Sequence, residues 1–298
     1  MTRPLSFSPE ELAQFKRKGL VKLKQVITPS EVDALRRWCD EPIWTPDDPA
    51  GLPGFSNTAY RVGTRQTVFE SLADDDNLRS ALRDLTGEKL IYTNGNRFTL
   101  TPGASGSPWH FGRITFSYIE PLDPGYSIWI PLDPINVNDQ HGGMAWVPED
   151  SWTARGRFQM WAGQLRRGET APNREELQAA MREQFGKSRG FSMMGPYDRA
   201  FLELVGETAD FEVGDALVFS KFVWHRTEPL RAGKLAQRVA LVLRYVGENS
   251  TLARDLLEAA TAGMSDKHRQ DEGIFGSYLS DIGHGALLRT SAHCPQPR

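Results

Sequence analysis

The decapeptide QRVALVLRYV, Gln237 to Val246, constrains this chain more than any other stretch. Period-two alternation of β-formers places Arg238, Ala240, Val242 and Arg244 on one face of a strand and Val239, Leu241, Leu243 and Tyr245 on the other. The second face is wholly apolar and belongs in a core. The first carries two arginines among small residues, and a buried guanidinium is costly unless its planar fork meets a carboxylate or phosphate. No acidic residue lies on the strand, so an anionic ligand is a candidate partner.

Similar texture recurs in RFTLTPG, HFGRITFSYIEP, YSIWIPLDP and GGMAWVPED between Leu90 and Trp152, and again in FLELV and FEVGDALVFS. Breaks at Pro, Gly, Asn and Asp predict an antiparallel sheet in two halves. The polar stretch 153–199 between them, with a helix in NREELQAAMREQFGKSRG, reads as a helical insertion. Upstream, Ser8-Pro9-Glu10-Glu11 and Thr28-Pro29-Ser30-Glu31 each combine an N-cap hydroxyl, proline in the first turn and glutamate three past the cap, predicting two helices. GLVKLKQV between them reads as a short strand, Asn77 to Leu85 as a helix ending at Gly87, and Asp255 to Ala262 as another. The expected organisation is a single domain over 1–298. It comprises a helical flank (1–89), a β-sandwich or barrel core (90–152 and 200–246), the insertion (153–199), and a C-terminal helix and tail (247–298).

Bulk properties narrow the class. A net charge of -3 gives none of the basic footprint usual in nucleic-acid binders, and 39% hydrophobic with 24% charged residues fits a globular protein, so a small-molecule partner is expected, not a nucleic-acid polymer. No apolar run approaches a membrane span and the N-terminus carries no signal-peptide pattern, so no membrane partner and a cytoplasmic location are expected. Two cysteines, Cys39 and Cys294, are too few for a disulfide framework.

Among six histidines, context separates two. His110 opens a run whose alternation would put His110, Gly112, Ile114 and Phe116 on one face, and His225 closes FEVGDALVFSKFVWH on another strand. Brought together on the inner face of a barrel, they make a metal site plausible. His141, in NDQHGG, reads as a turn residue and not as a third ligand.

These residues, in this order and spacing, resemble the phytanoyl-CoA dioxygenase-like Fe(II)/2-oxoglutarate-dependent oxygenases. The similarity runs from about Phe7 to Val246 through FSPEELAQFKRKGLVKLKQVITPSEVDALRRW, IWIPLDPINVNDQHGGMAWVPEDSW and FEVGDALVFSKFVWHRTEP. The resemblance implies a mostly β fold with flanking helices, a double-stranded β-helix (jelly-roll, cupin-like) core. It implies Fe(II) on His110 and His225, and 2-oxoglutarate gripped by Arg238 with Trp129 and Ser127 beside it.

One departure matters. Where most members have Asp or Glu two residues after the first histidine, this chain has Gly112, and no Asp or Glu occurs from Lys89 through Ile119. The same departure marks the family's halogenase branch, in which a halide takes the acid's place on iron. The resemblance therefore implies a chlorinase using Fe(II), 2-oxoglutarate, O2 and chloride on an unactivated C–H of a small metabolite, in natural-product biosynthesis. Gly112 would open the halide pocket and Arg244, six residues past Arg238 on the same face, would hold the halide. A hydroxylase or other oxygenase with an atypical iron site, and a metal-free binding protein, are the alternatives.

Phe111, Phe116 and Trp224 are the expected substrate-facing aromatics, with ordinary packing as the competing explanation. Arg61, Arg65 and Arg97 are candidates for meeting a phosphate. A free amino acid, a nucleoside or nucleotide, and a carrier-protein thioester are the substrate classes considered.

Overall fold

The computed structural model describes residues 2–39, 54–60, 71–170, 173, 175–176, 194–261, 281–292 and 294. Helix α1 (Pro9–Lys18) starts on a reciprocal capping box: the Glu11 N–H donates to Ser8 Oγ (3.2 Å) and the Ser8 N–H to Glu11 Oε2 (2.8 Å). Its end is set by Gly19 at φ 68°, a left-handed C-cap whose N–H reaches Phe15 O. Strand β1 (Leu20–Leu23) follows, then α2 (Pro29–Cys39), where Glu31 accepts from the Thr28 N–H at 3.2 Å. After β2 (Asn57–Tyr60), α3 (Asp76–Thr86) is capped by the Asp75 carboxylate and closed by Gly87 at φ 79°.

The core is built from β3 (Leu90–Leu100), β4 (Gly125–Pro131), β5 (Met144–Val147), β6 (Glu207–Thr208), β7 (Ala216–Ser220), β8 (Trp224–Thr227) and β9 (Arg238–Gly247). A six-stranded sheet in the order β1-β7-β4-β9-β3-β2 and a three-stranded sheet in the order β6-β5-β8 form the jelly-roll core, all of whose described pairings are antiparallel. Strands β1 and β2 lie within the expected helical flank, yet they supply both edges of the large sheet.

The alternation of β9 sorts the two faces as its sequence requires. Val239, Leu241, Leu243 and Tyr245 join Ile128, Ile130 and Val218 against Val32, Leu35, Leu78, Leu82 and Leu85 of the N-terminal helices. Each such buried aliphatic contributes about 1.5–3 kcal/mol. Ala240 and Val242 instead meet Trp129, Trp146 and Phe219 in the space between the sheets.

Two expectations need correction. HFGRITFSYIEP is not a strand: after a single bridge at His110 the chain coils through Gly112–Tyr118, with Phe116 N–H bonded to Gly112 O (3.0 Å) and Ser117 N–H to Ile114 O (3.1 Å). Its β-forming residues are there to be buried; Phe116, Tyr118 and Ile119 pack with Leu252, Leu257 and Leu288. FLELV lies in a helix, α6 (Pro196–Val205), started by Pro196 and anchored by fully buried Leu202. After the short helix α4 (Glu149–Trp152), the stretch past Trp152 opens with α5 (Arg155–Thr170), and the helix expected in NREELQAAMREQFGKSRG falls almost wholly outside the described residues. Helix α7 (Arg254–Thr261) matches the expected C-terminal helix to within a residue.

Candidate active site between the two sheets

His110 and His225 are brought together by the backbone. Each donates its N–H to the other's carbonyl, at 2.9 and 2.8 Å, and the imidazole centroids lie 4.1 Å apart. His110 Nδ1 contacts Pro108 O at 2.7 Å and His225 Nδ1 contacts Val223 O at 2.9 Å. A carbonyl can only accept, so both rings carry the proton on Nδ1 and the lone pair on Nε2. Burial lowers the pKa of His110 to about 4, assisted by the Arg244 charge. Burial, then the neighbouring His110 and Arg244, holds His225 well below its ordinary value. Both rings are therefore neutral at pH 7, the form that binds metals.

Among the described residues no carboxylate joins this pair. One group of three acid or histidine side chains with mutually close ligand atoms does occur, Glu120, Asp255 and His284, and it excludes both histidines. Arg166 already occupies it, at 2.7 Å from Glu120 and 2.6 Å from Asp255.

Gly112 is not beside an open space. A Cβ built on it would lie 2.7 Å from Phe116 Cδ2, 2.9 Å from Lys221 Cβ and 3.0 Å from Lys221 O, while its N–H donates to that same carbonyl at 2.9 Å. Close backbone approach to Lys221 requires the glycine, and the chain coils after His110 instead of continuing the strand on which the halide pocket was expected.

Arg238 is 1% exposed, and its Nε and Nη1 have no hydrogen-bond partner. Asp133, whose charge is felt at Arg238, is engaged by Arg36 and by the Val239 N–H (2.8 Å). Burial pushes the Arg238 pKa down to about 10, opposed by the Asp133 charge. Its guanidinium lies 5.6 Å from the centre of the Trp129 ring. Trp129 and Ser127 sit opposite Val242 and Arg244 in the β4–β9 register, so they share the face of β9 that carries the two arginines.

Arg244 is held by Asn96: the Asn96 amide satisfies both its ends in one orientation, donating to Gly95 O and accepting from Arg244 Nη1, each at 2.8 Å. The expected substrate-facing aromatics also take part in packing: Phe116 lies in the cluster with Tyr118 and Leu252, and Phe111 and Trp224 contact each other at 4.7 Å, with Trp109 and Leu202 in the same cluster as Trp224. Arg97 is buried and donates to Cys39 O at 2.6 Å, which removes it as a surface phosphate contact; Arg61 and Arg65 lie outside the described residues. His141 has φ 60° in a turn, as read from sequence.

Two inner-face residues escaped the sequence reading. Trp146 pairs with His225 and has an unpartnered Nε1, and Asn94 pairs with Arg244 and has an unpartnered Nδ2. The alternation MAWV marked the tryptophan's strand; nothing in the sequence marked Asn94, because a bulge between Tyr92 and Asn94 decides which way it faces.

The chain has the fold of the non-haem iron, 2-oxoglutarate-dependent enzymes. It is similar in structure to the carbocyclase SnoK from nogalamycin biosynthesis (15% identity over 98% of both chains, TM-score 0.62). It is also similar to the epimerase SnoN from the same biosynthesis (14% identity over 97% of this chain and 95% of that one, TM-score 0.62). HygX from Streptomyces hygroscopicus, with nickel and 2-oxoglutarate bound, matches at 18% identity over 81% of this chain and 88% of its own, TM-score 0.53. No protein-family model and no curated protein matches the sequence. Among the described residues no helix is long and apolar enough to cross a membrane.

Proposed function

We propose that this protein is an Fe(II)/2-oxoglutarate-dependent oxidoreductase acting on a small molecule, with iron on His110 and His225 and 2-oxoglutarate on Arg238. The observation that carries this reading is one arrangement. Two neutral, backbone-locked imidazoles with their lone pairs on Nε2 lie in a core whose facing sheet buries a guanidinium with unsatisfied donors among the described residues. The unpartnered buried groups lining that space, Arg238 Nε and Nη1, Trp146 Nε1 and Asn94 Nδ2, are all N–H donors. Buried donors without acceptors call for an acceptor-rich anion, and a dicarboxylate satisfies that demand.

When bound, iron and 2-oxoglutarate supply O2-driven decarboxylation of the cosubstrate and removal of hydrogen from an unactivated carbon. The protein contributes placement. Pro108 O and Val223 O fix the histidine tautomers, Arg238 orients one carboxylate, Trp129 walls the cosubstrate, and the sheets exclude water.

Within that class we favour chlorination in natural-product biosynthesis. A two-histidine site needs an added anion for charge balance, and Arg244 lies close enough for its charge to be felt at both imidazoles. The second reading is oxidation without halide transfer, favoured by the filled space beside Gly112. Free amino acids, nucleosides or nucleotides, and carrier-protein thioesters are the substrate classes proposed. Anaerobic loading with Fe(II), 2-oxoglutarate and chloride, then O2 and mass spectrometry over a metabolite panel, separates the readings. Chlorinated product is expected, succinate with only unhalogenated product supports the second reading, and absence of iron uptake overturns both.

A further inference from the structure

One carboxylate fastens the face of the histidine bridge that is turned away from the imidazoles. In an antiparallel bridge the residues flanking the bridged pair oppose one another with their side chains on the other face, so Trp109 and Arg226 back onto His110 and His225. The Arg226 guanidinium lies over the Trp109 ring, 5.3 Å from its centre. Glu203 of α6 closes the triangle: its Oε1 accepts from Trp109 Nε1 at 2.9 Å and its Oε2 from Arg226 Nη2 at 3.0 Å.

Packing brings α6 to this place. Leu202, fully buried, joins Trp109, Trp224, Ala145 and Val147 in one cluster, so neighbouring Glu203 reaches its rim. Gly206, just past the helix, lets the chain run close to the indole. A Cβ there would lie 3.2 Å from Trp109 Cη2 and Cζ2 and 2.9 Å from Leu202 O. The chain then enters β6, where Glu207 pairs with Trp146, the residue opposite His225.

The bridge needs such a fastening. Pro108 has no N–H with which to extend the ladder ahead of His110, and beyond His110 the chain coils from Gly112 onward. At the bridge itself two backbone hydrogen bonds hold the His110 segment to β8. Trp109 is 2% exposed, so its indole N–H must find an acceptor, and Glu203 supplies it. Glu228 also pairs with Arg226, at 2.8 Å, so the Trp109 bond is the one that ties α6 to the His110 side.

We infer that Glu203 is a positioning residue for the histidine pair, a carboxylate that holds the two imidazole-bearing segments in register from the face opposite the rings. This rests on the functional reading above, in which those rings bind the metal.

The test uses the full-length chain. Glu203→Gln keeps the size of the side chain but offers one oxygen where two now accept, and turns an N–H toward the other donor. The Glu203 side chain is 47% exposed, so this variant should fold normally. Asp198→Asn is the control, because Asp198 fastens the same helix to Arg157 of α5, at 2.5 Å, and not to either histidine segment. Exchange of the imidazole Nδ1 protons is followed by NMR in the metal-free protein carrying isotope-labelled histidine, and Co(II) affinity by absorption titration. In Glu203→Gln the Nδ1 protons should exchange about tenfold faster and Co(II) should bind about tenfold more weakly, with Asp198→Asn unchanged on both. Trp109→Phe removes the indole donor and should reproduce the change, which keeps the test decisive if the glutamine variant misfolds. Native exchange and affinity in Glu203→Gln, or an equal change in Asp198→Asn, overturns the assignment. Faster ring exchange in Glu203→Gln, in a protein whose native form takes up no Co(II), supports the positioning role and sinks the metal reading instead.

Discussion

His110 and His225 form a single antiparallel bridge, exchanging both backbone hydrogen bonds across strand segments 115 residues apart (225 − 110) and setting their rings 4.1 Å apart. A pair fixed through main chain keeps its geometry whether or not a metal is present, which limits the cost of organising the site.

It follows that His110→Ala and His225→Ala should each weaken Fe(II) or Co(II) binding by more than about 100-fold while leaving the fold intact. Anaerobic titration followed by the cobalt absorption bands measures this. Retained metal affinity in either variant would count against the two-histidine site.

Arg238→Met should separate stability from binding. The native arginine is buried with two unsatisfied nitrogens, so methionine should leave the ligand-free protein as stable or more so. Removing a charge-assisted contact to a carboxylate should cost about 2–5 kcal/mol of 2-oxoglutarate affinity. Melting curves with and without 2-oxoglutarate report both effects, and an undiminished 2-oxoglutarate shift would remove Arg238 from the site.

Gly112→Ala should destabilise the fold by about 1–3 kcal/mol through overpacking against Phe116 and Lys221. Pairing it with Phe116→Leu should recover part of the loss. Urea denaturation of the two single variants and the double variant gives the coupling; strict additivity would mean the contact is relieved elsewhere.

Lys221 is a buried cation whose Nζ donates to Glu120 O at 3.0 Å and lies over the Phe158 and Phe222 rings. Burial lowers its pKa to about 7. The folded chain releases this proton near pH 7 and the unfolded chain only near 10.5, so the unfolded state binds more protons in between and stability rises with pH across that window. Below pH 7 the charged lysine costs at most about 5 kcal/mol. Lys221→Met should therefore be more stable than the native chain at pH 7, with the difference shrinking toward pH 10. A difference that does not change with pH would contradict the shift.

Much of the frame was legible in local pattern. The Ser8 cap and the Gly87 terminator define helix ends by short-range hydrogen bonds and left-handed backbone, which sequence states directly. The alternation of β9 likewise announced both of its faces, including the two arginines, because side-chain direction on a strand has period two. Local pattern failed where burial came from distant partners: Ile114, Phe116 and Tyr118 look like strand residues but bury themselves in turns against the C-terminal segment, and FLELV needs only Leu202 inside, which a helix allows.

The candidate site divides along the same line. The residue types that bind metals and carboxylates, His110, His225, Arg238 and Arg244, stood out because each is out of place in an apolar strand or beside one. Whether Gly112 faced a cavity or a neighbour, and whether Asn94 faced inward or outward, depended on a coil and a bulge. Both are set by contacts with Lys221, Arg244 and Tyr118 far along the chain, and only the tertiary structure decides them.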